Sequence, residues 1–478
     1  MLKELSEDEF ARRAKDADRV AVFKEFLADR ETPVAALSRL GDDEEAFLLE
    51  SVAGGETRGR YSYLGIEPSG RVEGDDALER LRELFAAKRY APAPELPPLQ
   101  GGAVGYVSYD AVSVFEPSVG LRREEGTPSM SFLLCDTMLV FDNVRDTVTV
   151  VVVTDVGGGV PASDAYAAAR EKIDGVYERL LSAESIGRLV SRMRPRPRAS
   201  VEEFKSEMTR DEFAAIVAKC KEAIRAGEVI QIVPSQKFTA RTDITPLALY
   251  RALRTVNPSP YNFFMRIGAK TLIGSSPEEL VKLAGRKAST APIAGTRPRG
   301  ATPAADAALE RELKADEKEN AEHVMLVDLG RNDLGRVCEP GSVVVGDLAR
   351  VERYSHVMHL VSRISGTLEA GRDAFDLLRA AFPAGTLTGA PKVRAMQLIA
   401  ELEKSPRGVY GGAAGYFSLT GDMDVAIVIR TMVLEGGVLT MRAGAGIVAD
   451  SDPMREYDET VNKAKAVFEA ARFAEELS

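Results

Sequence analysis

The sequence predicts a mixed protein in which antiparallel strands and separate helices follow one another without regular alternation. Two observations speak for the strands. Residues 131–141 and 147–154 are apolar, β-branched runs on either side of an Asn143–Asp146 turn, a hairpin pattern. Residues 411–418, 423–434 and 438–448, joined by Thr-Gly-Asp and Glu-Gly-Gly turns, read as an antiparallel meander. A third speaks for the helices: 164–181, 210–226 and 392–402 repeat their apolar residues at helical spacing, and Gly227 stands just past the second.

Taken in order, residues 5–30 read as a polar helix, and 46–52 and 59–64 as two strands around a turn at Gly54 and Gly55. Glu50 and Ser51 interrupt the first of these runs, either as a strand's solvent face or as a small polar ligand. A helix is expected near 75–87 and a Pro-rich connection at 91–98. Residues 101–108 are glycine-rich but lack the spacing of a dinucleotide loop, so strands in close approach are expected there. At 192–198 Arg and Pro alternate, which permits neither a helix nor a central strand. A linker there divides the chain into an N-terminal domain, 1–198, and a C-terminal domain, 199–478.

Beyond the linker, 229–233 is a strand carrying one polar residue, Gln231. Residues 271–274 run into a Ser-Ser-Pro-Glu-Glu turn that leaves Glu278 at a strand end. Residues 291–299 read as a loop with two arginines, and 355–361 as a strand bearing His359, one of three histidines beside His323 and His356. Residues 382–391 form a loop that opens the 392–402 helix, where backbone N–H groups suit an anion. Arg430 falls on the face of Ala426 and Val428. An arginine among apolar neighbours is usually salt-bridged, and a bidentate carboxylate clamp is the use its geometry serves best.

Composition excludes several classes. With 45% hydrophobic residues over 478 positions the chain can build sizeable cores. A net charge of −11 argues against general nucleic-acid binding, which needs clustered positive charge. Cys135, Cys220 and Cys338 are widely spaced, with no metal or redox pattern, and read as buried free thiols of a reducing compartment. The charged start lacks a signal core and no run approaches a membrane span. A cytoplasmic enzyme or binding protein without membrane or nucleic-acid partners is expected.

The chemistry centres on two acidic helices. The Ala-, Leu-, Glu- and Lys-rich stretch from 304 to 318 predicts a helix that continues through Glu319 and Glu322 until the Gly-Arg-Asn-Asp-Leu-Gly run at 330–335 breaks it. Asp452 and Pro453 suit the cap and first position of a second helix, which carries Glu456, Glu459 and Lys463. Each helix sets two glutamates on one face. Such a pair is most often a solvated surface, but two pairs together could hold a hard divalent cation.

Five stretches then resemble one family. They are Pro-Ile-Ala-Gly-Thr-Arg-Pro-Arg-Gly from Pro292, Asp-Glu-Lys-Glu-Asn-Ala-Glu-His from Asp316, Asp-Leu-Gly-Arg-Asn-Asp-Leu-Gly-Arg from Asp328, Pro-Ala-Gly-Thr-Leu-Thr-Gly-Ala-Pro-Lys from Pro383, and 452–463. In this order they resemble the chorismate-utilising enzymes, over about 45–468, and within them the synthase subunits of anthranilate synthases. The resemblance implies an α+β fold, with antiparallel β-sheets packed around a central cleft and helices outside. It implies a magnesium ion (Mg2+) between Glu322 and Glu459, with Glu319 and Glu456 acting through water, bound to the ring carboxylate of chorismate. Arg430, Lys463 and the backbone of Gly444 and Gly446 resemble the positions that hold the substrate's carboxylates, and Tyr410 and Thr386 resemble further contacts. Glu278 resembles the general acid for the departing hydroxyl, and His359 a group that assists loss of pyruvate.

Two positions choose among family members. Isochorismate and salicylate synthases carry a water-activating lysine where Gln231 stands, and an amide is no base at pH 7. Aminodeoxychorismate synthases carry a lysine where Ala294 stands. The resemblance therefore implies ammonia as nucleophile and anthranilate plus pyruvate as products, with aminodeoxychorismate formation the alternative and a catalytically dead, magnesium-dependent sensor a third. Residues 48–51, ending in Ser51, and 257–263, with Pro260 and Tyr261, resemble the family's tryptophan feedback site. Asn262 departs from the usual apolar residue there. No glutamine-hydrolysing stretch is evident, so a separate glutamine amidotransferase subunit, in a heterotetramer, is implied as the ammonia source.

Overall fold

The structure, a computed structural model, describes residues 2–41, 44–51, 59–124, 126–157, 159–181, 200–353 and 357–477. The predicted linker at 192–198, and with it the boundary at 198/199, lies outside the described residues, as do Gly54, Gly55 and His356. Among the described residues the strands form a twelve-stranded sheet, a ten-stranded sheet and a two-stranded pairing. Both large sheets take strands from either side of residue 198. In the larger, Ala46–Glu50 pairs with Tyr61–Gly65 on one edge and with Tyr261–Ile267 on the other, antiparallel both times. In the smaller, Gly102–Val107 lies between Met130–Cys135 and Ala413–Ser418. The expected α+β architecture of antiparallel sheets with outer helices is present.

Several local expectations are corrected. Residues 5–30 are not one helix: Glu7–Arg13 is helical, and Arg19–Leu27 is a strand paired with Thr147–Asp155. Its Val-Ala-Val-Phe run is buried on both faces, which a strand inside a sheet tolerates and a polar helix would not. The 131–141 run is two strands, Met130–Cys135 and Thr137–Asp142, which leave for different sheets at Asp136. The arginine-bearing 291–299 loop is largely a strand, Ile293–Pro298, paired with Val357–Thr367. The 423–434 run likewise splits: Met423–Ile427 belongs to the smaller sheet and Thr431–Glu435 to the larger. Arg430 sits at that crossover with φ of 48°, a left-handed conformation in which a side chain is strained, so it does not continue the face of Ala426.

The central helix also differs. Residues 303–315 and 317–335 are separate helices, and Asp316 caps the second by accepting from the N–H groups of Lys318 and Glu319, both at 3.1 Å. The carboxylate at that N-terminus also favours the helix dipole. The helix runs unbroken to Gly335 because Gly330 is used for packing: a Cβ there would stand 2.7 Å from Ile364 Cδ1. His323, Leu326, Val327 and Leu334 face the sheet beneath. Burial of each aliphatic side chain stabilises by about 1.5–3 kcal/mol, which fixes the rotation that leaves Glu319 and Glu322 half-buried beside that packed face. The second acidic helix, Pro453–Leu477, packs on the Pro246–Val256 helix and on Val438–Gly444. Asp452 caps it, accepting from Met454 and Arg455 at 3.0 Å each. Cys135, Cys220 and Cys338 are buried free thiols, and no described helix is long and apolar enough to cross a membrane.

Candidate active site

A cavity of about 790 Å³ opens between the sheets and the C-terminal helix. Thr296, His359, Arg430, Glu459 and Lys463 line it, together with Pro260 and Pro277. Glu278 lies one residue beyond Pro277 and is 7% exposed. Burial pushes its carboxyl up to about 7, against the opposing pull of the Thr386 hydroxyl, Arg430 and Lys463. Thr386 faces Glu278 but falls short of a full hydrogen bond. A carboxyl so placed keeps a proton near neutrality and can hand it on, as a general acid must. Burial in turn lowers the Arg430 guanidinium, and the Glu278 charge raises it again.

The positions expected to hold anions converge. Lys463 donates to the Gly444 carbonyl at 3.0 Å and pairs with Glu459 at 2.7 Å. The Tyr410 hydroxyl rests against the Gly444 backbone, and burial raises its phenol to about 12, so it stays a donor. Gly446 admits Gln231: a Cβ there would meet the Gln231 Nε2 at 2.9 Å. His359, in register with Thr296, has Nδ1 2.9 Å from the Gly295 carbonyl. That carbonyl can only accept, so Nδ1 carries the proton and Nε2 keeps its lone pair. Burial lowers its pKa, which leaves the ring neutral at pH 7.

The four glutamates divide between the two helices. Glu319 is raised by burial and then by Glu322 and Asp316, and Glu456 by burial and then by Glu459, with Ser451, Lys318 and Lys463 pulling the other way. Like charges held together in this manner form a donor set that a hard cation relieves. Among the described residues, however, no three His, Cys, Asp or Glu side chains stand as a closed metal cluster. Glu322 instead accepts a 3.0 Å hydrogen bond from Gln231.

The predicted inhibitor residues also meet. Ser51, Pro260 and Tyr261 line a second cavity of about 780 Å³, walled further by Glu50, Tyr63, Phe263, Glu279 and Asp424. Glu50 is not on a solvent face: it is 6% exposed and accepts from the Tyr250 hydroxyl at 2.6 Å and pairs with Arg254 at 3.0 Å. Asn262 is buried and satisfied, donating to the Ser259 carbonyl and accepting from the Ser275 hydroxyl at 2.8 Å each. It thereby braces the 257–263 segment, which explains a polar residue in that place.

Sequence reading missed one supporting group. Glu403 and Arg407 are 4% and 5% exposed and pair at 2.6 Å; Glu403 also receives the Ser235 N–H at 2.7 Å, and Arg442 lies 3.4 Å away. Arg407 stacks on Tyr109 and Tyr410. Ser235 pairs with Gly444 in the sheet, so this ion cluster sets the floor on which Tyr410 and Gly444 meet. Its only signal in the sequence is an i,i+4 Glu–Arg pair, indistinguishable from a surface one.

The fold and this cleft define a chorismate-binding enzyme: residues 44–469 match the family model described as chorismate binding enzyme, and the chain belongs to that family. More particularly, it is similar over nearly its whole length to proteins named anthranilate synthase component 1. That of Streptomyces coelicolor is 47% identical over 97% of this chain and 91% of its own, and that of Cereibacter sphaeroides 42% over 98% and 97%. Among solved structures, anthranilate synthase component I from Streptococcus pneumoniae aligns with a TM-score of 0.75 and 36% identity, over 92% of this chain and 98% of its own. The menaquinone-specific isochorismate synthase of Escherichia coli shares the fold, at a TM-score of 0.72 and 21% identity over 97% and 98%.

Proposed function

We propose that this chain converts chorismate and ammonia to anthranilate and pyruvate, as the synthase component of an anthranilate synthase in tryptophan biosynthesis. The observation that carries the choice of nucleophile is at Gln231. A carboxylate can only accept, so the bond to Glu322 turns the amide nitrogen toward Glu322 and leaves Oε1 free. That oxygen is buried and has no partner among the described residues. It offers an acceptor for an N–H of ammonia, and it cannot remove a proton from water as a lysine amine could.

Arg430, Lys463 and Tyr410 with the Gly444 backbone would hold the substrate's carboxylates. Glu278 would give its proton to the departing ring hydroxyl, and neutral His359, protonated at Nδ1, would assist the later loss of pyruvate. Glu322 and Glu459, backed by Glu319 and Glu456, would hold Mg2+, whose charge neutralises the ring carboxylate. Tryptophan would occupy the second cavity as feedback inhibitor. A separate glutamine amidotransferase subunit would deliver the ammonia, in a heterotetramer.

Incubation with chorismate, magnesium and ammonium tests this, with products separated by chromatography. Anthranilate and pyruvate in equal amounts are expected. Isochorismate, salicylate or aminodeoxychorismate as the chief product overturns the assignment, and no turnover favours a sensor.

A further inference from the structure

The two cavities share a wall. Pro260 and Pro277 line both of them, so the segment that carries Glu278 is at once the side of the cleft and the side of the second cavity. The segment is short. Tyr261 pairs in the sheet with Ser276, then come Pro277, Glu278 and Glu279. The Tyr261 phenol closes the loop by donating to Glu279 Oε2 at 3.1 Å. Burial and the charges of Asp424 and Glu279 hold that phenol far above its usual pKa, so it remains a donor. The pairing of Glu279–Ala284 with Met423–Ile427 slips between Glu279 and Val281. Glu279 still pairs with Ala426 and the Glu278 carbonyl accepts the Ile427 N–H at 3.0 Å, so the sheet holds the backbone here and the Tyr261 contact bears on the side chains.

The groups that face Glu278 are the Thr386 hydroxyl, Arg430 from the crossover and Lys463 from the C-terminal helix. Asp333, tied to Lys392 at 2.8 Å, lines with Glu278 a small cavity of about 40 Å³ on the far side. Their pulls on Glu278 vary steeply with distance. A small displacement of the Glu278 side chain is thus enough to change how readily it keeps its proton.

We propose that Glu279, tethered by Tyr261 on the second-cavity side, is the positioning residue for Glu278, and that an α-amino acid in the second cavity acts by disturbing this tether. An amino-acid ammonium beside Glu279 competes with the phenol for the same carboxylate. The first clause rests on the geometry alone. The second rests on the reading of the second cavity as an inhibitor site.

The test is Glu279→Gln, with Tyr261→Phe as the variant that breaks the same bond from the other side. Turnover that needs a protonated Glu278 falls as pH rises, and the midpoint of that fall is the readout. Loss of the tether lets Glu278 move toward Arg430 and Lys463, so both variants should lower the midpoint by about half a pH unit, with no ligand present. A merely structural role would reduce activity without moving the midpoint. In Glu279→Gln, tryptophan should bind more weakly, and at concentrations that calorimetry shows to saturate the variant its inhibition should still be about tenfold weaker than the parent's. An unmoved midpoint in both variants overturns the positioning role. Unweakened inhibition in Glu279→Gln overturns the coupling. If wild-type protein binds no tryptophan, the inhibitor-site reading fails along with the coupling clause, and the midpoint alone then decides the role of Glu279.

Discussion

Gln231, on a two-residue strand beside the loop at Thr388–Ala390, donates its amide to Glu322 on the central helix at 3.0 Å. One bond thus joins the residue expected to meet the nucleophile to a residue expected to meet the cation. Glu322→Gln removes a carboxylate from the proposed metal site and also frees the Gln231 amide to flip. Activity should fall at least about a hundredfold, and excess magnesium should restore little of it. Normal turnover at ordinary magnesium would exclude Glu322 as a ligand.

Gln231→Lys sets an ammonium against Glu322. The pair that forms competes with a divalent cation for the same oxygens, so the magnesium concentration for half-maximal activity should rise about tenfold or more. Titration of activity with magnesium measures it, and an unchanged midpoint counts against the shared use of Glu322.

Glu278→Gln should cut kcat by about 10²–10⁴-fold, with little change in substrate affinity. The same variant bears on stability. Burial raises the folded carboxyl to about 7, well above the ordinary glutamate range, so the fold disfavours the charged form. That cost is absent below the unfolded pKa, grows as pH rises through the interval, and is complete above about 7. The variant should accordingly be more stable than the parent at pH 8, by up to about 3 kcal/mol, and no more stable at pH 4. Denaturant unfolding at the two pH values decides it.

Glu403→Ala leaves Arg407 and part of Arg442 buried without their carboxylate. A loss of about 3–5 kcal/mol is expected, and since the cluster supports Tyr410 and Gly444, KM for chorismate should rise as well. A stability loss with unchanged KM would separate the cluster from the substrate site.

Ser51→Phe brings a bulky ring into the second cavity. Tryptophan inhibition should fall sharply, by about tenfold or more, while uninhibited turnover stays close to the parent's. Retained tryptophan binding by calorimetry would place that site elsewhere.

The sequence by itself determined the strand-and-helix inventory wherever periodicity was unambiguous: Ala162–Leu181, Arg210–Arg225 and the capped C-terminal helix lie where spacing and capping residues put them. It also determined the order of the motifs, and through them the family. Local pattern failed where one apolar run serves two sheets, at Asp136 and at Arg430, because burial looks the same along a strand whichever sheet receives it. Gly330 misled for a related reason: a missing Cβ can end a helix or admit a neighbour, and only Ile364, whose Cδ1 would stand 2.7 Å from a Cβ placed there, tells which. Tertiary structure alone decided that Glu278 is buried beside Arg430 and Lys463, that Gln231 reaches Glu322, and that Pro260 and Pro277 belong to two cavities at once. Those relations join residues dozens to hundreds of positions apart. They arise from sheets that take strands from both halves of the chain, and spacing along a chain carries no information about distance across such a sheet.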